Sequence, residues 1–548
     1  MLLKNLIKIS QKEIDLIIIK DLSLDSRKVK RGDLFFALKG SKSNGEKFIK
    51  QAIVKGAKAV ISQRNIKIKT KVPIIKVNNI KKVLEDSCKK FYKKKPKNII
   101  AVTGTNGKSS VADFFYQILS FNKIPAASIG TLGIKKKNKL VKTNLTSLDI
   151  ITLHKELEKI KDQNIENVII EASSHGLRQG RLSGINFKAG IFTNFSQDHL
   201  DYHKSMQDYL KAKMILFSKL LKKNKYVITD DNLKEFNKIK KISNQKNLKL
   251  ITINNNSLSL HKKSKKLIGV FQAKNLSMSI LAANLCGLKK NKIYRVLNKI
   301  KNVNGRLELV RTLPNKSKIF IDYAHTPEAL STVLKSLEEH YRENINLVFG
   351  CGGERDIKKR PLMAKVASGL ANTIYITDDN PRNENPKKIR KIIINNLKNK
   401  NFFEIGNRAK AIQAAVKNSG PNEIILVAGK GHEAYQDYGK KILKISDKRI
   451  IRNLKVKKIK SKRKMFIFEN NKKALSNTLN KKINFNFKGV SIDSKKIKKG
   501  NLFIALKGKN KDGHDYVSNA FKNGASFCVI SKKIKKTNNN RLIKCKNT

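Results

Sequence analysis

The sequence has no tryptophan and contains only 5 cysteines and 9 prolines among its 548 residues. The cysteines stand singly, without a C-x-x-C pair or a metal-ligand spacing, which argues against a disulfide framework and a structural zinc site. No stretch approaches the roughly 18 to 20 consecutive apolar residues of a membrane span. Charges interrupt the N-terminal residues and no small-residue cleavage site follows, so no signal peptide is predicted. These absences favour a reduced, cytoplasmic protein.

Acidic residues are also scarce: 41 Asp and Glu stand against 119 Lys and Arg, which gives a formal net charge of +78. One interpretation is a nucleic-acid or anionic-membrane binder. The other is a lysine-rich composition spread evenly along the chain. Lysine occurs in every segment, and basic runs such as 458–464 lack interleaved aromatics. The even composition is therefore the preferred interpretation, and neither a nucleic-acid partner nor membrane insertion is predicted, although the charge would attract polyanionic substrates.

The length exceeds that of one ordinary domain. Three polar, basic segments at 91–98, 301–308 and 455–464 resemble boundaries. We therefore expect four domains, at 1–96, 97–305, 306–455 and 464–548.

Short apolar runs alternate with helix-length amphipathic stretches in the two middle domains, which predicts an α/β fold with parallel sheets. Each run leads directly into a polar or glycine-rich loop; the runs begin at residues 98, 167, 189, 319, 346, 373 and 424. Ligands of open α/β sheets bind outside the carboxyl ends of the strands. The chemistry is therefore expected in these loops.

The chain contains an internal repeat. Residues 25–57 align without a gap with residues 493–525, and 15 of the 33 positions are identical, including four glycines. A single recurrence at so long a period excludes a solenoid. A duplicated domain is the better interpretation.

The segment AVTGTNGKSS (101–110) has the form of a phosphate-binding loop between a strand and a helix. Backbone N–H groups from Gly104 to Lys108 would bind phosphate oxygens, Lys108 would add a positive charge, and Ser109 would reach Mg²⁺. The usual pattern has glycine where this chain has Val102. Five apolar residues of the following helix, from Val111 to Leu119, fall on one face.

Several further motifs occur in a fixed order: EASSHGLRQGRL (171–182), TNFSQDHLDYH (193–203), YLKAKMILF (209–217), DYAHTPEAL (322–330), CGGERDIKKRPLM (351–363), TDDNPRNENP (377–386) and AGKGHEAYQ (428–436). Together with the phosphate loop, these motifs resemble the Mur ligase family over about residues 20–450. The resemblance implies a UDP-binding N-terminal domain, a P-loop central domain and a Rossmann-like third domain. It implies an ATP-dependent amide ligase of peptidoglycan precursor synthesis, with ATP and Mg²⁺ as cofactors and a monomeric state. The substrates implied are UDP-MurNAc-L-Ala-D-Glu and meso-2,6-diaminopimelate.

The resemblance also implies roles for individual residues. The catalytic and metal-binding set is Ser109, Glu171, His199, Lys108 and Lys213, the last as a carbamylated lysine. The ATP-binding set is Gly104, Thr105, Asn106, Gly107, Lys108, Ser109, Ser110, Asn275, Arg306, Asp322 and His325. The set for the UDP-sugar dipeptide is Leu24, Ser26, Thr146, Ser147, Ser173, Gln179 and Arg181. The set for diaminopimelate is Arg355, Asp379, Asn380, Pro381, Arg382, Gly429 and Glu433.

The DNPR motif at 379–382 resembles the signature of the family members that add meso-diaminopimelate. Diaminopimelate has a second carboxylate at its far end, which an arginine fork binds bidentately, whereas L-lysine would present an ammonium there. Asn380-Pro381 is also expected to form a turn that caps a helix. Two departures from the family stand out, Ser147 in NLTSLD (144–149) and a short segment between Ile251 and Leu267. The alternatives are a lysine-adding or folylpolyglutamate-type ligase, or a basic nucleic-acid-binding ATPase.

The second copy resembles the N-terminal domain of the family member that adds D-alanyl-D-alanine. No second GTNGKS follows it, so we expect no second ATP site. It is interpreted as the stump of a fusion of two ligases, the alternative being an accessory UDP-sugar-binding domain.

Overall fold

The polypeptide forms a succession of β-sheets, the first beginning at Asp21 and the last at Gly489. The computed structural model describes residues 1–7, 16–40, 43–143, 145–253, 267–398, 401–454, 487–508, 511–532, 534 and 539–545. The chain divides into two compact units, Met1–Val456 and Lys457–Thr548. The predicted boundary at 455–464 lies outside the described residues, as does most of the segment expected to be short. Within the described ranges, no helix is both long and apolar enough to cross a membrane.

The first sheet has four parallel strands paired in chain order. They are β1 to β4, Asp21–Ser23, Asp33–Phe36, Ala59–Ser62 and Ile74–Lys76. The helices of this part are α1 to α3, Leu3–Leu6, Ile49–Val54 and Ile80–Phe91. Asn79 caps α3 by accepting a hydrogen bond from the Lys82 backbone N–H, the usual role of Asn at a helix start. The basic segment 91–98 connects the end of α3 to the next sheet.

The second sheet has eight strands in the order β12-β11-β10-β5-β9-β6-β7-β8. In chain order, β5 to β12 are Asn98–Thr103, Ala126–Gly130, Gly133–Lys136, Lys139–Val141, Asn167–Glu171, Ala189–Phe192, Tyr226–Asp230 and Lys249–Ile253. The helices α4 to α10 are Lys108–Phe121, Ile150–Asp162, Ser174–Arg178, Met206–Ile215, Phe236–Gln245, Val270–Leu285 and Lys290–Val296. The strands β5, β9 and β10 are buried along their whole length, as expected for parallel strands covered on both faces. Strands β7 and β8, which extend the sheet beyond β6 with antiparallel pairing, were not predicted from the sequence.

Helix α4, directly after the phosphate loop, is buried on every side from Ser109 to Leu119. The sequence pattern predicted one apolar face for α4. This face is only the side that packs on the sheet. Helix α9 covers the opposite side, and Ser279 donates a hydrogen bond to the Val111 carbonyl at 3.0 Å. The loop is therefore anchored to a helix held between two layers.

The third sheet has six strands in the order β13-β14-β18-β15-β16-β17, parallel except for β13. In chain order, β13 to β18 are Glu308–Thr312, Lys318–Asp322, Ile345–Phe349, Thr373–Ile376, Phe402–Glu404 and Ile424–Ala428. Its helices, α11 to α15, are Pro327–Tyr341, Lys359–Leu370, Pro386–Ile394, Arg408–Asn418 and Asp447–Asn453. A short hairpin, β19 and β20, pairs Gln436–Asp437 with Ile442–Leu443.

The carboxyl ends of the parallel strands meet at one edge of each large sheet. In the second sheet, Thr103 of β5 pairs with Phe192 of β10, and Val102 pairs with Glu171 of β9. In the third, β14, β18, β15 and β16 end side by side. The predicted strands are confirmed at these positions, and the motif-bearing loops follow them.

The second unit repeats the first sheet at a constant displacement of 468 residues. Its strands β21 to β24 are Gly489–Ser491, Asn501–Ile504, Ala525–Ile530 and Leu542–Lys544, with helix α16 at Val517–Lys522. They pair in parallel in chain order. Gly45 and Gly513 correspond, and a Cβ atom on them would lie 2.7 Å from the backbone of Leu38 and Leu506, respectively, two residues after the preceding strand. This close approach explains why glycine stands at both positions.

His154 is buried in the helical layer of the second sheet, and we expect it to lower the free energy of unfolding in acid. Its Nε2 lies 2.9 Å from the Ser183 carbonyl, and burial lowers the pKa of this imidazole to about 4. The unfolded chain, with a His pKa near 6.5, binds more protons, so stability is lost as pH falls from about 6.5 towards 4. Between pH 7.5 and 5 we expect His154→Gln to remove about 2 kcal/mol of this loss. Urea unfolding at pH 7.5, 6 and 5 measures it.

The control for this prediction is His340→Gln, since His340 lies exposed at the end of α11. It should keep the wild-type dependence of unfolding free energy on pH. A His154→Gln variant with the wild-type dependence would contradict the prediction.

Candidate active site

The phosphate loop closes tightly between β5 and α4. Gly104 has φ +144° and Gly107 has φ +85°, backbone conformations that favour glycine. A Cβ atom on Gly107 would lie 2.5 Å from Asn275 Oδ1, and one on Gly104 would lie 1.9 Å from Thr193 Oγ1. Helix α9 and the loop after β10 therefore fix the shape of the phosphate loop.

Lys108 begins α4 and folds back over the loop. Its Nζ donates to the carbonyls of Gly104 at 2.8 Å and Thr105 at 2.7 Å. Burial lowers the pKa of Lys108, while Glu171 and Asp198 act in the opposite direction. Its ammonium group therefore lies where anionic phosphate oxygens would contact the loop.

Ser109 and Glu171 form a polar contact at the edge shared by β5 and β9. Ser109 Oγ donates to Glu171 Oε2 at 3.0 Å, and both the N–H and the hydroxyl of Thr131 donate to the same carboxylate. Arg306 Nη2 lies 3.3 Å from Ser109 Oγ, and its guanidinium group stacks 4.3 Å above the Tyr323 ring. An arginine preceding the third sheet thus reaches the phosphate loop.

Lys213, on α7, is only 1% exposed. Its Nζ donates to the Gly104 carbonyl at 2.7 Å and lies 4.3 Å above the Tyr209 ring. Burial and the nearby charge of Lys108 hold the pKa of Lys213 well below its usual range. Lys213 is therefore a buried lysine and not an ordinary exposed residue of a surface helix.

Asp198, which the sequence analysis did not select, lies between two of the predicted histidines. Its Oδ2 is 3.4 Å from His199 Nε2 and 3.6 Å from His325 Nε2. Burial alone would raise the pKa of Asp198, but His199 and His325 hold it well below its usual range. Burial lowers the pKa of His199 to about 3, with Asp198 acting in the opposite direction. The signal for Asp198 was its place beside His199 in TNFSQDHLDYH.

The hydroxyl and arginine side chains predicted for the dipeptide lie next to this centre. Ser147 Oγ donates to the Glu171 carbonyl at 2.9 Å and lies 3.0 Å from Ser173 Oγ. Arg181 donates to the Ser147 carbonyl at 2.8 Å and, through Nε, to Gln179 Oε1 at 2.9 Å. Ser147 Oγ also accepts from the Ser173 backbone N–H at 3.0 Å, so this serine makes three hydrogen bonds in the place where the family pattern differs.

The amino-acid set divides into two groups. Arg355 and Arg382 line the central cleft, whereas Asp379, Asn380, Pro381, Gly429 and Glu433 are not part of its lining. Arg382, with φ 54°, donates through Nη1 to the Gly353 carbonyl at 2.6 Å. Arg355 Nη1 lies 3.3 Å from Asp201 Oδ2. The expected helix cap at Asn380-Pro381 is wrong, because α13 begins at Pro386 and Asn385 caps it.

These groups surround one cleft of about 960 Å³. Its lining includes most of the predicted catalytic, nucleotide and dipeptide residues: Thr105, Asn106, Gly107, Lys108, Ser109, Ser110, Thr146, Ser147, Glu171, Ser173, Gln179, Arg181, His199, Lys213, Arg306, His325, Arg355 and Arg382. Gly104, Asn275 and Asp322 lie outside this lining. Asp322 accepts hydrogen bonds from the backbone N–H groups of Leu307 and Ala324, which fixes the chain beside Arg306.

A second cleft of about 980 Å³ joins the first, since Leu145, Gln179, Arg181 and Tyr202 line both. Leu24 is part of its lining, but Ser26 is not: this buried serine donates to Gln51 Oε1 at 2.6 Å. Six lysines on its lining were not predicted individually: Lys39, Lys81, Lys82, Lys89, Lys219 and Lys222. The second cleft is therefore suited to an anionic ligand.

The oxygen atoms of Ser109 and Glu171 fit one side of a magnesium site, because Mg²⁺ takes hard oxygen ligands and retains several waters. Over the described ranges, no group of three or more His, Cys, Asp or Glu side chains is arranged to hold a metal ion. The predicted set contains a serine and a lysine, and the structure joins only Ser109 and Glu171 by a direct contact.

The fold and the cleft define a phosphate-loop enzyme in which a third-domain arginine reaches the nucleotide loop. Three family models match the chain. They are "Mur ligase family, catalytic domain" at 18–92 and again at 486–547, "Mur ligase middle domain" at 102–283, and "Mur ligase, glutamate ligase domain" at 305–431. The chain belongs to the Mur ligase family. The predicted family, ligase class and three-domain architecture are confirmed, and the two matches of the last model agree with the duplication.

Curated relatives extend this similarity. UDP-N-acetylmuramoyl-L-alanyl-D-glutamate–2,6-diaminopimelate ligase of Rickettsia montanensis is 40% identical over 467 residues, covering 79% of this chain and 95% of that protein. The Rhizobium meliloti protein of the same name is 36% identical over 450 residues, covering 78% and 92%. A solved structure with this name has a TM-score of 0.59 at 30% identity, covering 82% of this chain and 98% of the other. The MurF ligase of Thermotoga maritima in complex with ADP, at 16% identity and a TM-score of 0.53, shares the fold; it covers 80% of this chain and 96% of that one.

Proposed function

We propose that this ligase joins meso-2,6-diaminopimelate to UDP-MurNAc-L-Ala-D-Glu with ATP, giving ADP and phosphate. The observation that carries the proposal is the single cleft of about 960 Å³, in which Lys108, Ser147 and Arg382 all contribute to the lining. A phosphate loop, a dipeptide site and an arginine for a second carboxylate thus face the same space. The name of the curated relatives contains the same two substrates.

The chemistry follows from the poor reactivity of a carboxylate as an acyl donor. A glutamate carboxylate oxygen attacks the γ-phosphorus of ATP, and the bond to the β–γ bridging oxygen breaks to release ADP. The amine then attacks the acyl carbon, the bond to the phosphate oxygen breaks, and the amine proton passes to solvent. Lys108 stabilises charge on the transferring phosphoryl group, and positioning of the reactants supplies much of the remaining acceleration.

We assign the nucleotide to Gly104–Ser110, with Asn275, Arg306, Asp322 and His325 around it. Gly107 and Asn275 are in close contact, and Arg306 reaches Ser109, so residues from three segments meet at the loop. Asp322 acts here by holding the backbone at Leu307 rather than by facing the cleft.

Mg²⁺ would be held by Ser109 and Glu171, with His199 and a carbamylated Lys213 completing the region. The bound ion would neutralise negative charge on the phosphate oxygens. The buried Lys213 amine is biased towards the neutral form, which is the form that adds carbon dioxide. Dependence of the initial rate on bicarbonate tests this carbamylation.

The UDP-sugar dipeptide is assigned to the two joined clefts. Thr146, Ser147, Ser173 and the Gln179–Arg181 pair would contact the dipeptide, and Leu24 the uridine end. The lysines of the second cleft supply positive charge for a substrate that carries a diphosphate and carboxylates. Ser26 would act through Gln51, because its hydroxyl already donates to that side chain.

We propose domain boundaries at 1–96, 97–305, 306–455 and 464–548, and a monomeric, cytoplasmic enzyme. The sheets described above begin and end within these limits. Light scattering on a size-exclusion column checks the monomeric state.

A phosphate-release assay tests the proposed function. UDP-MurNAc-L-Ala-D-Glu and ATP are supplied with meso-diaminopimelate or L-lysine in parallel reactions. We expect turnover with diaminopimelate. Turnover with lysine alone would overturn the specificity, and absence of turnover with both would overturn the proposed reaction. Stimulation of ATP hydrolysis by DNA or RNA instead would support the nucleic-acid alternative.

A further inference from the structure

Lys430 is a fully buried lysine at the carboxyl end of β18, and none of the predicted site sets includes it. Its side chain has 0% exposure, although a lysine is almost never fully buried unless it is paired. Its Nζ donates to Asn380 Oδ1 and to Glu433 Oε2, both at 2.9 Å. Nζ also lies 5.5 Å from the centre of the Tyr435 ring. Lys430 therefore joins two residues that belong to the proposed diaminopimelate site.

The contacts of Lys430 determine the orientation of the Asn380 amide. Asn380 Oδ1 accepts from Lys430 Nζ and also from the Asp437 backbone N–H at 3.0 Å. Because two donors point at this atom, it must be the oxygen, and the amide nitrogen must point the other way. Asn380 Nδ2 accordingly donates to Glu433 Oε2 at 2.9 Å.

The same contacts make the two oxygens of Glu433 unequal. Oε2 accepts from Lys430 and Asn380, whereas the bond to Oε1 is the longer one from the Tyr323 hydroxyl, at 3.3 Å. Tyr323 lines the central cleft. Burial alone would raise the pKa of Glu433, but Lys430 and Asn380 hold it below its usual value. Glu433 thus stays an anion, and its Oε1 faces the hydroxyl of Tyr323, a residue that lines the cleft.

We propose that Lys430 is a positioning residue for amino-acid recognition, which fixes Asn380 and Glu433 so that Glu433 Oε1 accepts the far-end ammonium of diaminopimelate. This inference rests on the proposed function. It divides the far end of the substrate between two groups: Arg382 binds the carboxylate and Glu433 binds the ammonium. Lys430 itself does not touch the substrate.

The test compares Lys430→Met, which keeps the length of the side chain without its charge, with Lys430→Arg and with Lys440→Met as an exposed control. We expect Lys430→Met to raise KM for meso-diaminopimelate at least about tenfold, the effect of losing one well-placed polar contact. KM for ATP should change less than about twofold, and Lys430→Arg should recover part of the loss. Lys440→Met should behave as the wild type.

A second readout separates positioning from general damage to the fold. 2-Aminopimelate lacks the far-end amino group, so the wild type should prefer meso-diaminopimelate to it in kcat/KM. Lys430→Met should reduce this preference, and Asn380→Ala in the Lys430→Met background should add little, since both act on Glu433. If Lys430→Met fails to fold, Lys430→Arg is measured alone for the same loss of preference.

Two results would overturn the inference alone: an unchanged preference in the Lys430 variants, or equal rises in KM for ATP and diaminopimelate. Absence of diaminopimelate turnover in the wild type would overturn the proposed function and this inference together.

Discussion

Replacing Lys108 by alanine is expected to lower the rate of phosphate release at least about a thousandfold. The ammonium group of Lys108 is held over the loop by the Gly104 and Thr105 carbonyls, so it is already positioned before the nucleotide binds. Preorganised charge at a transferring phosphoryl group is among the largest contributions to such reactions. Steady-state phosphate release at saturating substrates measures the effect.

The matched control for this prediction is Lys211→Ala, an exposed lysine on α7 two residues before Lys213. It should retain the wild-type rate. Thermal unfolding should show that Lys108→Ala remains folded, since removal of this side chain leaves the glycine turns and α4 in place. A folded Lys108→Ala variant within tenfold of the wild-type rate would remove Lys108 from its assigned role.

The strands and the loops after them were predictable from the sequence because short apolar runs have few alternatives when Gly and polar residues end them. The runs at 98, 167 and 189 became β5, β9 and β10, and parallel pairing then brought Ser109 and Glu171 into contact. The duplicated segment was equally predictable, since two of its repeated glycine pairs, Gly45 with Gly513 and Gly56 with Gly524, stand where the backbone leaves no room for a Cβ atom.

Other features depend on contacts that no local pattern encodes. Burial of Lys213 arises because the Gly104 carbonyl and the Tyr209 ring enclose it, and a single lysine on a helix carries no sign of this. Strands β7 and β8 are only four and three residues long and both contain lysine. Their sequence pattern therefore resembled a loop. Asn380-Pro381 and Asn385-Pro386 are the same dipeptide, and only the second pair begins a helix. The dipeptide alone therefore could not show which of the two caps it.

The role of Lys430 illustrates the same limit within the candidate site. The motif resemblance assigned Asn380 and Glu433 to the amino acid, but it gave no reason for the lysine between Gly429 and Gly431. Only the folded chain shows one ammonium group bonded to both side chains. Residues that act through other residues are therefore the ones that sequence comparison of motifs leaves out.

Replacing Arg382 by alanine is expected to lower kcat/KM for meso-diaminopimelate by about a hundred- to a thousandfold. Arg382 Nη1 is fixed by the Gly353 carbonyl at 2.6 Å, while the side chain lines the cleft. Loss of an arginine from a charge pair with a carboxylate costs about 2–5 kcal/mol, because the carboxylate then loses both its charge partner and its hydrogen bonds. ATP affinity should not change, because Arg382 lies in the loop after β16 of the third sheet, whereas the phosphate loop follows β5 of the second sheet.

Arg342→Ala is the matched control, because Arg342 also has φ 54° but is exposed at the end of α11. Both variants keep the backbone strain of the positive φ, because alanine also carries a Cβ atom, and only Arg382→Ala removes a charge from the cleft. Arg382→Lys should recover less than half of the lost binding free energy, as an ammonium cannot reproduce the two parallel hydrogen bonds of a guanidinium. Weaker ATP binding in Arg382→Ala would place Arg382 at the nucleotide, and an unchanged kcat/KM would separate DNPR from amino-acid recognition.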